Sequence, residues 1–166
     1  MFKQTAVALL LATALSGARA HAAEPPAAAP PEPAPVYGPN ITLAQAKRVL
    51  AAAEAQAAKM HADGAVFAIV QPSGALVLFE KMDDSTYVSI EFAQAKARTA
   101  AITRRATGGG PGGAPPAPDL IGLPGGLPIV VQGRTIGAIG VSGAEHGGDT
   151  LIAEAAIHAL ESGGSP

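Results

Sequence analysis

Of 166 residues, 48% are hydrophobic and 14% charged, with 20 glycines, 15 prolines and no cysteine, a composition that fits one ordinary domain plus unstructured segments. Eleven Lys and Arg against 13 Asp and Glu give a formal charge of −2, which leaves no electrostatic footprint for nucleic acid or an anionic membrane. The absence of cysteine excludes a disulfide scaffold, a Cys-type zinc site, an iron–sulfur cluster and covalent c-type haem attachment.

At the N-terminus, Lys3 precedes an uncharged apolar run from Thr5 to Leu15, and Ala20-His21-Ala22 offers a small-x-small cleavage pattern. Residues 1–22 therefore read as a secretory signal peptide. Eleven helical residues rise only about 16 Å, whereas a membrane core needs ~20 residues. Export to the periplasm or medium is the expectation. Without Lys3 and Arg19 the mature chain has 9 basic residues against 13 acidic ones, formally −4. Residues 23–39 contain seven prolines and read as a semi-rigid linker, with the folded domain spanning residues 40–166.

Within that domain, Thr42-x-x-Gln45 reads as a capping box for a first helix whose Leu43, Ala46, Leu50, Ala53 and Ala57 form one apolar stripe. Val66 to Val70, the Pro72-Ser73-Gly74 turn and Leu76 to Phe79 predict a β-hairpin. Asp83, Asp84 or Ser85 can cap a second, Ala-rich helix running to about Arg105, and Thr107 to Asp119 form a Gly/Pro surface loop. Leu127 to Val131 and Thr135 to Ser142 predict a second strand pair. Gly137, Gly140 and Gly143 in that region mark places where another backbone or a ligand comes close. Asp149 then caps a last helix. The order α-ββ-α-loop-ββ-α predicts an α/β (α+β) domain with a mostly antiparallel sheet flanked by helices.

The chemistry-bearing motifs are sparse. Gly140-Val141-Ser142-Gly143 lacks the spacing of a hydrolase elbow and of a dinucleotide loop. His61 and His158 fall at helix ends, where an imidazole meets the helix dipole favourably. His146 lies in a loop where a metal would find Glu145 and Asp149 close in sequence. On the second helix Lys96, Thr99 and Thr103 recur at helical spacing. That face reads either as a solvated or subunit-packing stripe, or as a shallow apolar site with a cation for carboxylates.

Taken together, Phe67-Ala-Ile-Val-Gln-Pro-Ser-Gly-Ala-Leu76, Lys96-Ala-Arg-Thr-Ala100, Gly125-Gly-Leu-Pro-Ile129 and Ile136-Gly-Ala-Ile-Gly-Val-Ser-Gly-Ala144 resemble the GlcG/HbpS-type haem-binding family over about Ile41 to Leu160. The resemblance implies a profilin-like fold, a symmetric homo-oligomer and binding of haem or a related tetrapyrrole. It implies a scavenger, buffer or sensor accessory, with a membrane-bound sensor or transporter as a further partner. A cofactor-modifying or haem-degrading enzyme and a ligand-free accessory subunit are the alternatives. Two departures stand out: Gln71 occupies a position where the family commonly has Asp, and the Gly/Pro loop replaces the family's segment after the second helix. By the resemblance, the second helix carries the site, with Thr99 facing iron, Lys96 meeting a propionate, and Arg98 and Tyr87 nearby. His146 is the other candidate metal donor.

Overall fold

The computed structural model describes residues 32–109, 112–114 and 117–162. The predicted leader and linker residues 23–31 lie outside the described residues. Eight elements follow in order: β1 (Val36–Tyr37), α1 (Leu43–Lys59), β2 (Val66–Val70), β3 (Leu76–Lys81), α2 (Tyr87–Thr103), β4 (Gly126–Val131), β5 (Arg134–Ser142) and α3 (Gly148–Ser162).

Both predicted strand pairs form, and β5 joins them. It runs antiparallel to β4 on one side and to β2 on the other, and β2 pairs antiparallel with β3. The one parallel pairing joins β1 to Arg134 and Thr135 of β5. This strand lies inside the segment read as linker, so ordered structure begins before Asn40. Its attachment is reinforced at the end of α2, where the Tyr37 hydroxyl donates to the Ile102 carbonyl at 2.7 Å and the Arg104 guanidinium stacks 4.7 Å from the Tyr37 ring. Arg104 also donates to the Pro35 carbonyl, and Arg105 to that of Glu32.

Alternation along the strands builds two cores. Phe67, Ile69, Ile139 and Val141 point to one face, where α1 and α3 cover them. Val66, Ala68, Val70 and Ala138 point to the other, against Ala93, Ala97, Ala100 and Ala101 of α2. The register skips Val77 in β3 and Ile136 in β5, and such bulges change which face the following side chains meet. The helix α2 lies unusually close to the sheet because β4 and β5 present hydrogen atoms to it: a Cβ on Gly140 would overlap the Ala93 carbonyl, and one on Gly126 would stand 2.5 Å from that of Lys96. Of the readings open for these glycines, the approach of another backbone is the one observed.

The capping box on α1 is present, with Gln45 N–H donating to Thr42 Oγ1 and Thr42 N–H to Gln45 Oε1. The other two helix starts differ from expectation. Thr86 is the N-cap of α2, its hydroxyl paired with Ser89 Oγ, and the helix stops at Thr103 because Arg104 turns left-handed. Asp149 sits in the first turn of α3, but its carboxylate is directed backwards, to Lys96 and the Ala144 N–H.

Glu80 on β3 faces Glu54 on α1, and a shared hydrogen bond, then burial and charge repulsion, push the Glu80 carboxyl from 4.5 up to about 7. The folded pair thus holds a proton that the unfolded chain releases near pH 4.5, so its stabilisation is present below that pH and is lost as pH rises through 7. At a half-exposed site screening reduces this to roughly 1 kcal/mol. Urea midpoints at pH 5 and 8 should differ accordingly, and Glu54→Gln should flatten the difference.

Candidate functional site

The helix α2 was expected to offer its Ala and Thr surface to a flat ligand, but the sheet occupies the alanine face. Lys96 is 3% exposed; its ammonium donates to Asp149 Oδ2 at 2.7 Å and to the Val141 carbonyl at 2.9 Å. A propionate could reach it only by displacing Asp149, so the structure gives Lys96 an internal partner instead. The reason is geometric: three residues from Ala93 on the same inward face, its stem runs along the sheet to the N-terminus of α3. Thr99 is 2% exposed and accepts a hydrogen bond from the Ile121 N–H at 3.1 Å, which places it beneath the 117–125 segment. That segment is closed at its base by Thr107, whose N–H donates to the Gly126 carbonyl while its hydroxyl accepts from the Gly126 N–H.

Arg98 lies on the opposite, exposed face of α2. Among the described residues it makes no hydrogen bond or ion pair, and its stem rests against the left-handed Gly74, where a Cβ would stand 3.0 Å from Arg98 Cγ. Tyr87, at the start of the helix, is 88% exposed. His146 is likewise fully out in solvent, with Nδ1 3.5 Å from Glu145. The predicted set therefore does not converge: two members are buried and engaged, and three are exposed in separate places. No group of three His, Asp or Glu side chains poised to hold a metal ion occurs among the described residues.

Two hollows flank the turn between β2 and β3. One, of about 320 Å³, is lined by Tyr37, Pro72, Ser73 and Ile102. The other, of about 260 Å³, lies between α2 and the hairpin and includes Gly74, Leu76, Glu91, Gln94 and Arg98. Ile102 and Arg98 are one helical turn apart, so an apolar wall adjoins a cation on one surface of α2. Sequence reasoning missed Tyr37, Pro72 and Ile102 as wall residues because Tyr37 lies in the proline-rich segment and is brought here only by β1. It also missed Asp149 as the partner of Lys96; the available signal was a carboxylate directly after a glycine-rich loop.

At the far end of β2 a third cavity, of about 410 Å³, separates the α1–β2 connection from the β5–α3 connection. His61, predicted inside the last turn of α1, instead follows the helix with φ of +54°, and His146 across the cavity has the same value. His158 does lie near the end of α3, 3.3 Å from Glu161.

A family model described as haem degrading protein HbpS-like matches residues 41–158. An uncharacterised 15.0 kDa protein of Citrobacter freundii, from a dhaT–dhaS intergenic region, is 36% identical over 129 residues, which cover 71% of this chain and 90% of that protein. Protein GlcG of Escherichia coli K12 is 37% identical over 112 residues, covering 62% and 83% respectively. The crystal structure of a PduOC:haem complex superposes with a TM-score of 0.64 at 27% identity, covering 72% of this chain and 94% of that one. Because the match extends from Ile41 before α1 to His158 in α3, it takes in strands β2 to β5, helices α1 and α2 and most of α3, and the chain belongs to the HbpS-like family.

Proposed function

We propose that this is an exported, oligomeric haem-binding protein, with the tetrapyrrole seated along the exposed face of α2. The observation that carries this reading is the likeness of nearly the whole domain to a solved structure that holds haem. The residues of the groove fit such a ligand. Tyr37, Pro72 and Ile102 supply an apolar wall for a flat ring, and Arg98 supplies an unpaired cation, among the described residues, for a propionate. When bound, haem would supply an iron centre that takes an axial donor. The donors at the groove are oxygens: the Tyr37 and Ser73 hydroxyls, the Glu91 and Asp119 carboxylates, or water. Weak ligation and easy exchange suit a scavenger, buffer or sensor accessory better than an electron carrier.

Export is supported by the leader pattern at residues 1–22, and oligomerisation by the exposed apolar side chains Val36, Tyr37, Leu76 and Ile102. The family's description as haem degrading favours a second reading, in which bound haem is consumed.

Haemin titration of the mature protein tests both. The expected result is a Soret shift that saturates at fixed stoichiometry, on a protein whose intact mass begins near Ala23 and whose scattering mass is several times one chain. Arg98→Ala should weaken binding roughly three- to tenfold, the value of an exposed charge-assisted hydrogen bond. Thr99→Val and His146→Ala should bind like wild type. If Thr99→Val alone loses the shift, the ligand sits under the 117–125 segment and the groove is wrong. Bleaching of the band with reductant and oxygen would favour degradation.

A further inference from the structure

On the face turned away from the sheet, α2 carries a pattern that is symmetric about the middle of the helix. Tyr87 and Val88 lie exposed at one end and Ile102 at the other, with Glu91 and Arg98 exposed between them and the half-buried Gln94 and Ala95 at the centre. Outward from a point between Gln94 and Ala95, an acid on one side stands where a base stands on the other, and an aromatic ring stands where an isoleucine does. Among the described residues neither Glu91 nor Arg98 has an ion-pair partner, although both line the hollow of about 260 Å³. Seven residues span about 10 Å of helix, too far for the two to meet as three- and four-apart neighbours do.

Such a face fits a second copy of itself. In a twofold interface a residue i meets residue j of the second copy while j meets i. Two antiparallel α2 helices related by an axis at Gln94 and Ala95 therefore bring Glu91 of each against Arg98 of the other, and Tyr87 of each against Ile102 of the other. The small Ala95 at the axis lets the helices approach to about 8 Å, and the two charge pairs fix the register. A guanidinium has several N–H donors, so an Arg98 paired with a carboxylate keeps some for a ligand. The pairing also reaches the groove. Tyr87 lies about 22 Å along the helix from Ile102 of its own chain. Across the twofold it meets the wall formed by the second copy's Tyr37, Pro72 and Ile102.

We propose that the exposed face of α2 is the contact between two copies of this chain, and that each copy lends its Tyr87 to the other's haem groove. The lending of Tyr87 rests on the haem reading; the pairing of the helices does not. The ring extends the apolar wall, and its hydroxyl adds a phenolic oxygen to the donors there.

Light scattering of the haem-free mature protein tests the pairing. Glu91→Arg and Arg98→Glu should each give a smaller species, with association weakened roughly tenfold or more, because two attractions become two repulsions. The double variant Glu91→Arg/Arg98→Glu should regain the wild-type mass. An equimolar mixture of the two single variants should regain it too, since every facing pair is again of opposite charge. Rescue in the mixture cannot come from a bond within one chain, and it shows that both variants are folded. A wild-type mass in both single variants, or a mixture that stays dissociated, would overturn the pairing. In haemin titrations Tyr87→Ala should weaken binding roughly fivefold while Tyr87→Phe, which keeps the ring, stays nearer wild type. Unchanged affinity in Tyr87→Ala would remove that residue from the groove. If the wild type shows no Soret shift while the charge exchange still restores assembly, the haem reading fails and the pairing stands.

Discussion

Replacing Gly140 with alanine should destabilise the domain by about 3 kcal/mol, the upper range for overpacking a close-packed interior. The added methyl group would meet three backbone or Cβ positions of α2 at once: the Ala93 carbonyl, the Ala97 N–H at 2.5 Å and Ala97 Cβ at 3.0 Å. None of these is the end of a flexible side chain, so the strain cannot be relieved by a rotamer change. The helix must lift from β5, and the second core, built almost wholly of alanine and valine, loses contact along its length. Chemical denaturation reads the loss directly as a lower midpoint. A midpoint within 1 kcal/mol of wild type would show that α2 floats on the sheet and that the glycine is incidental. Gly133, in the β4–β5 turn and without neighbours within 4 Å, is the control position, and its substitution should report only the cost of its positive φ.

Lys96→Met should cost a similar amount for a different reason. It removes the only cation beside Asp149 among the described residues and leaves that carboxylate, 15% exposed, with the Ala144 N–H alone as its partner. Removing one partner of a buried pair costs about 3–5 kcal/mol, and the partial exposure of Asp149 puts the expected figure near the lower end. The double variant Lys96→Met/Asp149→Asn should recover more than half of the loss, since Asn keeps an oxygen for the Ala144 N–H and no charge remains buried. Denaturation midpoints of the two single variants and the double variant form the cycle. Additive losses would mean that the 2.7 Å contact contributes no coupling and that Lys96 matters through its packed stem alone.

Local chemistry was legible wherever one short stretch of chain carried its own instruction. The capping box at Thr42 and Gln45, the Pro72-Ser73-Gly74 reversal and the two-strand pattern on either side of Gln132-Gly133 are such stretches, and each appears where expected. The ordered motifs shared with the family carried the fold. The placement of charged and polar side chains was not legible in the same way. Helical spacing put Lys96 and Thr99 on one surface of α2, but spacing is blind to what covers a surface. Glycines on β4 and β5 drew that face against the sheet, Asp149 came from 53 residues away to meet the ammonium, and Ile121 closed over Thr99. The exposed face that remained took Arg98 and Ile102, and β1 added Tyr37 from a segment whose prolines signalled only a spacer. Likewise, nothing in the spacing of His61 and His146, 85 positions apart, placed them on one cavity; the contact between Gly64 and Gly143 did. Periodicity and capping act over a few residues and so can be read along the chain, whereas burial and pairing are set by whichever distant backbone arrives, and only the packed sheet decided that.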